Sequence, residues 1–576
     1  MTLKTIYRQF LHCLLIIFIS ALLMFSCGTG PSGHDHETDA DNQRQHVSGS
    51  LAEEIRSLTE TGVLSSMLQA LELIRSRELG TVEFGRMMNG INTLIIRLVY
   101  PDTLARLPQV DLPQTFNYTR IIREAERGNY ISPPEDSTDF FEHILPFFAV
   151  TNQINQELLP KIIKDLETAA EIRPNSVLPL FFRGLLHEKL RQWTEAERFY
   201  TRTYSLSNEC YPALTGIARV RRLSGRFSEA AAQFSDLIVR YPDSKEIKRE
   251  LALSHYGNRD WARSLPIIDE ILLADPRDGE FILMKAYILL EQGQFPRANT
   301  TLDSYAPINP NNRLYLFLRA RVQNEGSRNR DSALNYLRSI LRSSPNDEEA
   351  LIYAAALLLE SSRAADQTEG RDYLERLRRL SGSSIPVLNL SLRDAVMRES
   401  WQEAQGFLNR ILATRRTIED LIDGYHIERG LGNNTRALNF ARELYERDTS
   451  NNDHAVIYIS ALIDNGRRDE ASRLLENRIN LISRETQVSR GRLLSSLYFQ
   501  RSRLHTNDEA ALSDLRLSQF EDPRNLDPLI AMFEIYIRRR EERRAVIYLR
   551  QALAIAPDNP RLRRYELEYA SLLGRN

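Results

Sequence analysis

Few side chains in this sequence are spaced as catalytic or metal-binding groups would be. The nearest approach is HEKLR at His187–Arg191, where a zinc protease would need a second histidine in place of the arginine. His34–Glu37 contains metal-ligand residue types, but it lies in a segment too polar to fold around an ion. No nucleophile-elbow serine, phosphate-binding loop or dinucleotide fingerprint occurs. The sequence therefore predicts no catalytic residue, no metal site and no enzyme.

One cysteine has a clearer chemical assignment. Lys4 and Arg8 precede the apolar run Cys13–Phe25, which has the length of a signal-peptide core. A small residue, Cys27 and a glycine follow, and this arrangement resembles the lipobox of bacterial lipoproteins. The resemblance implies cleavage after residue 26, diacylglycerol on the Cys27 thiol and a fatty acyl group such as palmitate on the new amino terminus. A plain secretory signal is the alternative.

The segment after Cys27 is short of apolar residues, so residues 27–49 are predicted to be a flexible tether. Gly28 follows the cysteine where aspartate would be typical of retention at the inner membrane. The resemblance therefore implies a cell-envelope location, at the outer membrane rather than the inner one. Which face of the membrane carries the protein stays open.

Proline and aromatic residues recur with a fixed spacing in the middle of the chain. Pro242, Pro276 and Pro310 lie 34 residues apart, and Pro345 follows after 35. The same interval of 34 separates four aromatic residues: Trp193, Phe227, Trp261 and Phe295. A constant period of this length is typical of a stacked array of repeats, and such arrays present extended binding surfaces to partners.

The repeat unit is clearest at residues 211–244. Small or apolar residues at helical spacing, a glycine turn and a proline stop mark two helices: Leu214, Ile217, Ala218, Gly225, Ala230, Phe234, Leu237 and Pro242. This unit resembles the tetratricopeptide repeat (TPR), a 34-residue helix–turn–helix. The resemblance implies an all-α fold, a right-handed TPR α-solenoid superhelix of about eleven units preceded by a helical amino-terminal segment.

The quality of the repeat varies along the chain, and this variation sets the predicted domains. In 346–416 the second helix of one unit is expected to be displaced beyond residue 370. The domains are a signal peptide (1–26), a tether (27–49), a helical amino-terminal region (50–135), well-formed TPR units (136–345), degenerate TPR-like units (346–416), TPR units (417–559) and a C-terminal capping helix (560–576).

The region 50–135 has helical periodicity without the 34-residue spacing. One helix is predicted to end at Gly80, a second to span 83–98 and a third 118–127. This region either caps the first repeat or forms a separate recognition element. A catalytic role for it is a further, disfavoured alternative.

Composition limits the classes of partner. The formal net charge of −2 gives no basic surface of the kind that nucleic acid requires. Of three cysteines, only Cys210 falls in the repeat array, where it is predicted to be a small buried residue. The array must therefore be held together by helix packing without a disulfide framework.

In TPR proteins the first helix of each unit lines a concave face through unit positions 2, 5, 9 and 12. The resemblance assigns partner binding to eleven residues at these positions: Phe181, Leu185, Arg219, Arg222, Arg249, Tyr256, Leu283, Tyr287, Phe317, Arg321 and Asn324. Aromatic, aliphatic and arginine side chains of this kind are typical of binding hot spots. The mixture indicates a peptide with apolar side chains and some acidic groups.

These observations predict a membrane-anchored scaffold or adaptor of the bacterial cell envelope with a protein or peptide partner. Three alternatives remain: an accessory subunit of a transport or secretion system, a surface-exposed adhesin, and an enzyme that uses residues 50–135.

Overall fold

A computed structural model of the chain describes residues 48–101, 112–484 and 489–574. Within these ranges every regular element is helical, so the predicted all-α fold is confirmed. No helix in the described part of the chain is both long and apolar enough to cross a bilayer. The predicted signal peptide, Cys27 and nearly all of the tether lie outside the described residues. The chain divides into two compact units, Met1–Asn309 and Pro310–Asn576, which are described one at a time.

The first unit begins with helices that do not follow the repeat. Short 3₁₀ turns at Leu79–Thr81 and Leu145–Val150 accompany them. The helices are α1 (Gly49–Glu60), α2 (Leu64–Ser76), α3 (Glu83–Val99), α4 (Asn117–Glu126), α5 (Phe140–Ile144) and α6 (Leu159–Ile172). The single helix expected up to Gly80 is wrong, because the chain breaks at Gly62. That glycine adopts a φ of +71°, which ends α1 and lets the chain turn into α2.

The amino-terminal helices are joined to the first repeat by packing and hydrogen bonds. The Val177 amide donates to the Thr61 carbonyl oxygen at 3.0 Å, and the Tyr100 hydroxyl donates to the Gly62 carbonyl oxygen at 3.1 Å. A continuous cluster of buried side chains runs from Ile55 to Val220. The amino-terminal region thus covers the end of the array, where an exposed repeat would leave its apolar face in water.

The repeats of the first unit are four helix pairs that follow α6. The aromatic residues spaced by 34 are the first residues of the second helices, and Pro242 and Pro276 follow the ends of α10 and α12, as proline placement predicts. The pairs are α7 (Leu178–Lys189) with α8 (Trp193–Leu206), α9 (Tyr211–Leu223) with α10 (Phe227–Arg240), α11 (Lys245–Gly257) with α12 (Trp261–Ala274), and α13 (Gly279–Glu291) with α14 (Phe295–Tyr305).

Close contact between helices depends on small residues in the first helices. The ring of Tyr200 on α8 is fully buried between Gly184 on α7 and Gly216 on α9. A Cβ atom on either glycine would lie 2.8 Å from atoms of that ring. The two glycines therefore set how near the first helices approach α8.

The second unit contains seven more helix pairs among its described residues. A π-helical turn, Val322–Gly326, follows α15. The pairs are α15 (Arg313–Arg321) with α16 (Arg330–Ser343), α17 (Glu348–Leu359) with α18 (Ala364–Ser381), α19 (Ile385–Met397) with α20 (Trp401–Leu412), α21 (Ile418–Gly430) with α22 (Asn434–Arg447), α23 (Asn452–Asp464) with α24 (Arg468–Ile482), α25 (Arg490–Ser502) with α26 (Asp508–Glu521), and α27 (Leu526–Arg538) with α28 (Glu542–Ile555).

The expected displacement of one second helix beyond residue 370 is wrong. Helix α18 already begins at Ala364, within that polar segment. The Ser361 hydroxyl donates to Asp366 Oδ2 at 2.6 Å, and Gln367 Nε2 donates to the Ser361 carbonyl oxygen at 2.8 Å. These local bonds fix the start of a helix whose first turns carry few apolar residues.

The extra residue between Pro310 and Pro345 is accommodated by the π-helical turn. The Ser327 amide donates to the Val322 carbonyl oxygen at 3.3 Å, which is the wide i to i+5 bond of such a turn. The insertion is thereby absorbed within one turn of the first helix.

The chain ends, within the described residues, with α29 (Pro560–Glu568) and the single turn α30 (Ala570–Leu573). Leu562 is fully buried, and the rings of Tyr565 and Tyr569 lie 5.1 and 5.3 Å from that of Phe533 on α27. The segment packs against the last helix pair as a cap would.

The glycine packing predicts opposite effects for two glycine-to-alanine substitutions. We expect Gly184→Ala to destabilise the protein by about 1–3 kcal/mol, because the new methyl group overlaps the Tyr200 ring. Gly406 lies in α20 with no atom near its Cβ position, so Gly406→Ala should stabilise by about 0.5–1 kcal/mol through helix propensity. Urea unfolding of both variants measures the difference. Equal stability of the two variants would contradict this account of the helix contact.

Candidate functional site

The candidate binding surface in the first unit is formed by the first helices α7, α9, α11 and α13. Unit positions 2, 5, 9 and 12 recur at intervals of three and four residues, so they share one side of each helix. Helix α7 contacts α9, and α9 contacts α11. We call the surface made by these positions of the four helices the first-helix face.

Arg219 lies at the centre of this face and bridges three helices. Its Nε donates to Glu188 Oε1 at 2.7 Å, and its Nη1 donates to Glu246 Oε1 at 2.9 Å. Tyr200 donates its hydroxyl to Glu188 Oε2 at 2.7 Å. Burial lowers the pKa of Arg219, but Glu188, Tyr200 and Glu246 together raise it more, and the net pKa lies well above the ordinary value.

The other two predicted arginines of this face are paired in the same way. Arg222 Nε donates to Glu250 Oε2 at 2.6 Å. Arg249 bonds both Asp278 and Glu280, the latter at 3.0 Å, and its guanidinium carbon lies 4.5 Å from the Phe281 ring centroid. The arginines therefore connect each repeat to the next one.

The ion pairs of this face contain more carboxylates than arginines. Three arginines face five carboxylates: Glu188, Glu246, Glu250, Asp278 and Glu280. Burial raises the pKa of Glu280, Arg249 lowers it, and the Asp278 and Glu250 carboxylates raise it further, so its net pKa lies above the usual range. The three arginines predicted to bind acidic groups of a partner are bonded to carboxylates within the chain on this face.

Aromatic side chains supply the partly exposed apolar part of the face. Tyr256 on α11 and Tyr287 on α13 are half-buried, with ring centroids 5.8 Å apart. Trp261, the first residue of α12, lies 5.4 Å from Tyr256 and 6.2 Å from Tyr287. The three rings support one another, so Tyr256 and Tyr287 are held in place before any partner binds.

Other predicted residues of the first-helix face are largely buried and expose little surface to a partner. Phe181 is 4% exposed and packs against the Tyr200 ring at 5.4 Å, and Leu283 is 6% exposed. Leu185 is half-buried against the amino-terminal core. The accessible surface is thus smaller than the unit positions suggest, and Tyr256 and Tyr287 provide its aromatic part.

The three remaining predicted residues belong to the second unit. The Phe317 ring lies 5.8 Å from that of Tyr353, and Arg313 lies over it at 5.3 Å. Arg321 Nε donates to Glu325 Oε1 at 2.7 Å, and Asn324 Nδ2 donates to the Tyr353 hydroxyl at 3.1 Å. These residues form a local cluster on α15, the π-helical turn and α17.

The sequence reasoning missed the carboxylates that pair with the arginines. Each one lies 27 to 31 residues from its arginine, which is close to one repeat. A search for oppositely charged residues at about one repeat length would have found them.

The residues considered for other chemistry have structural partners. His187 Nδ1 lies 2.5 Å from Gln192 Oε1, and the His187 ring stacks on Phe199. Cys210 is buried, and burial raises the pKa of its thiol to about 11, which disfavours the reactive thiolate. Among the described residues, no three histidine, cysteine or carboxylate side chains are grouped to hold a metal ion.

Comparison with known proteins identifies the repeat. Two family models described as tetratricopeptide repeat match residues 215–279 and 255–322. A search of the curated proteins finds no match.

The similar solved structures have low sequence identity to this chain and low TM-scores. A tetratricopeptide repeat protein from Parabacteroides merdae is 12% identical over 49% of this chain and 97% of its own, with a TM-score of 0.30. Yeast Tom70 is 12% identical over 72% of this chain and 92% of its own, with a TM-score of 0.34. YrrB, described as a TPR protein with an unusual peptide-binding site, is 17% identical over 32% of this chain and 95% of its own, with a TM-score of 0.29.

The ion pairs of the first-helix face predict unequal effects for two glutamates bound to the same arginine. We expect Glu188→Ala to destabilise α7 and α9 by about 3–5 kcal/mol, because it leaves Arg219 buried without its main counter-charge. Glu246 is 35% exposed, so Glu246→Ala should cost less than about 1 kcal/mol. Amide hydrogen exchange in α7 and α9 measures both losses. Equal exchange in the two variants would show that the Glu188–Arg219 pair does not hold these helices together.

Proposed function

We propose that this chain, which is a tetratricopeptide repeat protein, is a membrane-anchored scaffold or adaptor of a bacterial cell envelope. Its repeats support a role in protein–protein interaction. The partner in this proposal is a protein or peptide segment that binds on the first-helix face of the first unit.

The observation that carries this proposal is the pair of half-buried tyrosines beside an excess of carboxylates. Tyr287 lies two helical turns from Glu280 on the same side of α13, and Tyr256 packs against Tyr287 from α11. Tyrosine rings that are already held in place lose little conformational entropy on binding. The partner that complements this surface has an apolar side chain for the rings and a lysine or arginine for the carboxylates.

Membrane attachment in the proposal depends on Cys27. Diacylglycerol on the thiol and an acyl group on the new amino terminus would together hold the protein on a bilayer, which a single acyl chain does weakly. The polar segment 27–49 would then act as a tether that keeps the repeats close to envelope partners and raises their effective concentration. The proposed location is the outer membrane, and no other cofactor is part of the proposal.

Removal of both tyrosine rings tests the binding surface. We expect Tyr256→Ala with Tyr287→Ala to lose the partner that the wild-type protein captures from detergent-solubilised cells, because the apolar anchor is gone. Tyr256→Phe with Tyr287→Phe keeps the rings and should keep the partner. Tyr336→Ala, on second helix α16 of the other unit, is a control that should also keep it. Capture of the same partner by the folded double-alanine variant would exclude the first-helix face.

A second experiment tests the anchor independently of the partner. We expect the wild-type protein to incorporate an alkyne analogue of palmitate and to fractionate with membranes, whereas Cys27→Ala should do neither, because it lacks the thiol acceptor. Cys13→Ala is the matched control, since Cys13 lies within the apolar run that is removed with the signal. Membrane fractionation of Cys27→Ala without label incorporation would point to attachment by protein contacts or by a retained apolar run Cys13–Phe25.

A further inference from the structure

A cleft lies in the repeat that contains the extra residue, and it is not part of the first-helix face. It lies in the second unit, between the turn that follows the π-helix and the turn that joins α17 to α18. Its volume is about 850 Å³, and it is polar, with Arg328, Arg330 and Arg363 among its lining residues. The 35-residue spacing from Pro310 to Pro345 thus coincides with a change of surface as well as of backbone.

The cleft has more positive than negative charge. Arg363 donates to Asp331 Oδ1 at 2.5 Å and to Asp366 Oδ2 at 2.7 Å, so two carboxylates share this one guanidinium group. The side chains of Arg328 and Arg330 form no hydrogen bond or ion pair with any described residue. Two guanidinium groups therefore line the cleft without a direct ion pair to the chain, although Asp331 and Asp366 lie nearby on Arg363.

The backbone at Arg328 is also unfavourable for its side chain. Its φ is +52°, in the left-handed region, and glycine occupies the equivalent turn in repeats such as those of Gly225 and Gly293. Arg191 and Arg259 occupy this turn in two repeats of the first unit. Arg540 occupies it in the last repeat of the second unit, so the π-helical insertion is what distinguishes the turn at Arg328 from the other three.

We propose that this cleft binds carboxylate side chains of an acidic peptide segment. A guanidinium group can donate two parallel hydrogen bonds to one carboxylate. The side chains of Arg328 and Arg330 are both available to do so. The hydroxyl groups of Ser327 and Ser362 line the same cleft and add neutral donors. Because the cleft is open to solvent and spans two consecutive turns, it suits an extended segment better than a single enclosed ion.

This site is separate from the first-helix face, which lies in the other unit and carries excess negative charge. The two surfaces are therefore complementary to opposite kinds of peptide. The double-alanine variant of Tyr256 and Tyr287 should retain binding at the cleft, so failure of one proposal is distinguishable from failure of the other.

The test uses a short fluorescent peptide of alternating glutamate and serine, measured by anisotropy with the full chain at low salt. We expect Arg328→Gly with Arg330→Gln to weaken binding about tenfold or more, because two charge-assisted contacts are lost. Glycine relieves the left-handed backbone at 328, so this variant should fold. The same peptide with glutamine in place of glutamate should not bind.

A control variant removes the same charge elsewhere. Arg259→Gly with Arg240→Gln replaces one left-handed arginine and one exposed arginine of the first unit, and it should leave the affinity unchanged. Equal weakening by both variants, or no binding by the wild-type protein, would overturn the proposal. Displacement of the peptide by inorganic phosphate at concentrations where chloride has no effect would overturn the peptide assignment in favour of a phosphate site.

Discussion

The structure depends on one packing constraint: a helix pair of this kind has apolar surface on two sides and must have a neighbour on both. Tyr200 shows how close that contact is, since its ring fills the space between Gly184 and Gly216 on successive first helices. Repetition satisfies the constraint inside the array. At the ends of the array, other elements provide the missing neighbour. Helices α1–α6 cover the first repeat, and Leu562, Tyr565 and Tyr569 cover the last helix pair.

The same constraint organises the charges. Because packing fixes the distance between successive first helices, a long arginine side chain on one helix reaches carboxylates of the next at regular places. Arg219 and Arg249 each bond two acidic residues, a geometry suited to the planar guanidinium group. The arginines of these ion pairs therefore hold successive repeats together. What remains for a partner is the aromatic pair and the excess of carboxylates.

Sequence periodicity predicted the helices well where proline, glycine and aromatic residues mark each boundary, as at Trp193 and Phe227, which begin α8 and α10. It failed where side-chain bonds set a boundary, as at the start of α18. Periodicity also could not distinguish side chains that contact a partner from side chains that pack within the chain. Phe181 occupies a predicted binding position, yet Tyr200 covers it, and that burial depends on the neighbouring helix rather than on the local sequence.

The one-residue insertion after α15 shows where such an array can change without losing its core. Val322, which begins the π-helical turn, is 2% exposed, and Leu318 and Ala320 before it are equally buried, so the packed side of the helix is kept. The extra residue is instead absorbed in the π-helical turn at the end of this helix, next to the connection to α16. Packing therefore constrains the helix faces strongly and the turns weakly. New surface chemistry, such as the unpaired arginines at 328 and 330, can arise at a turn while the repeat spacing on either side remains intact.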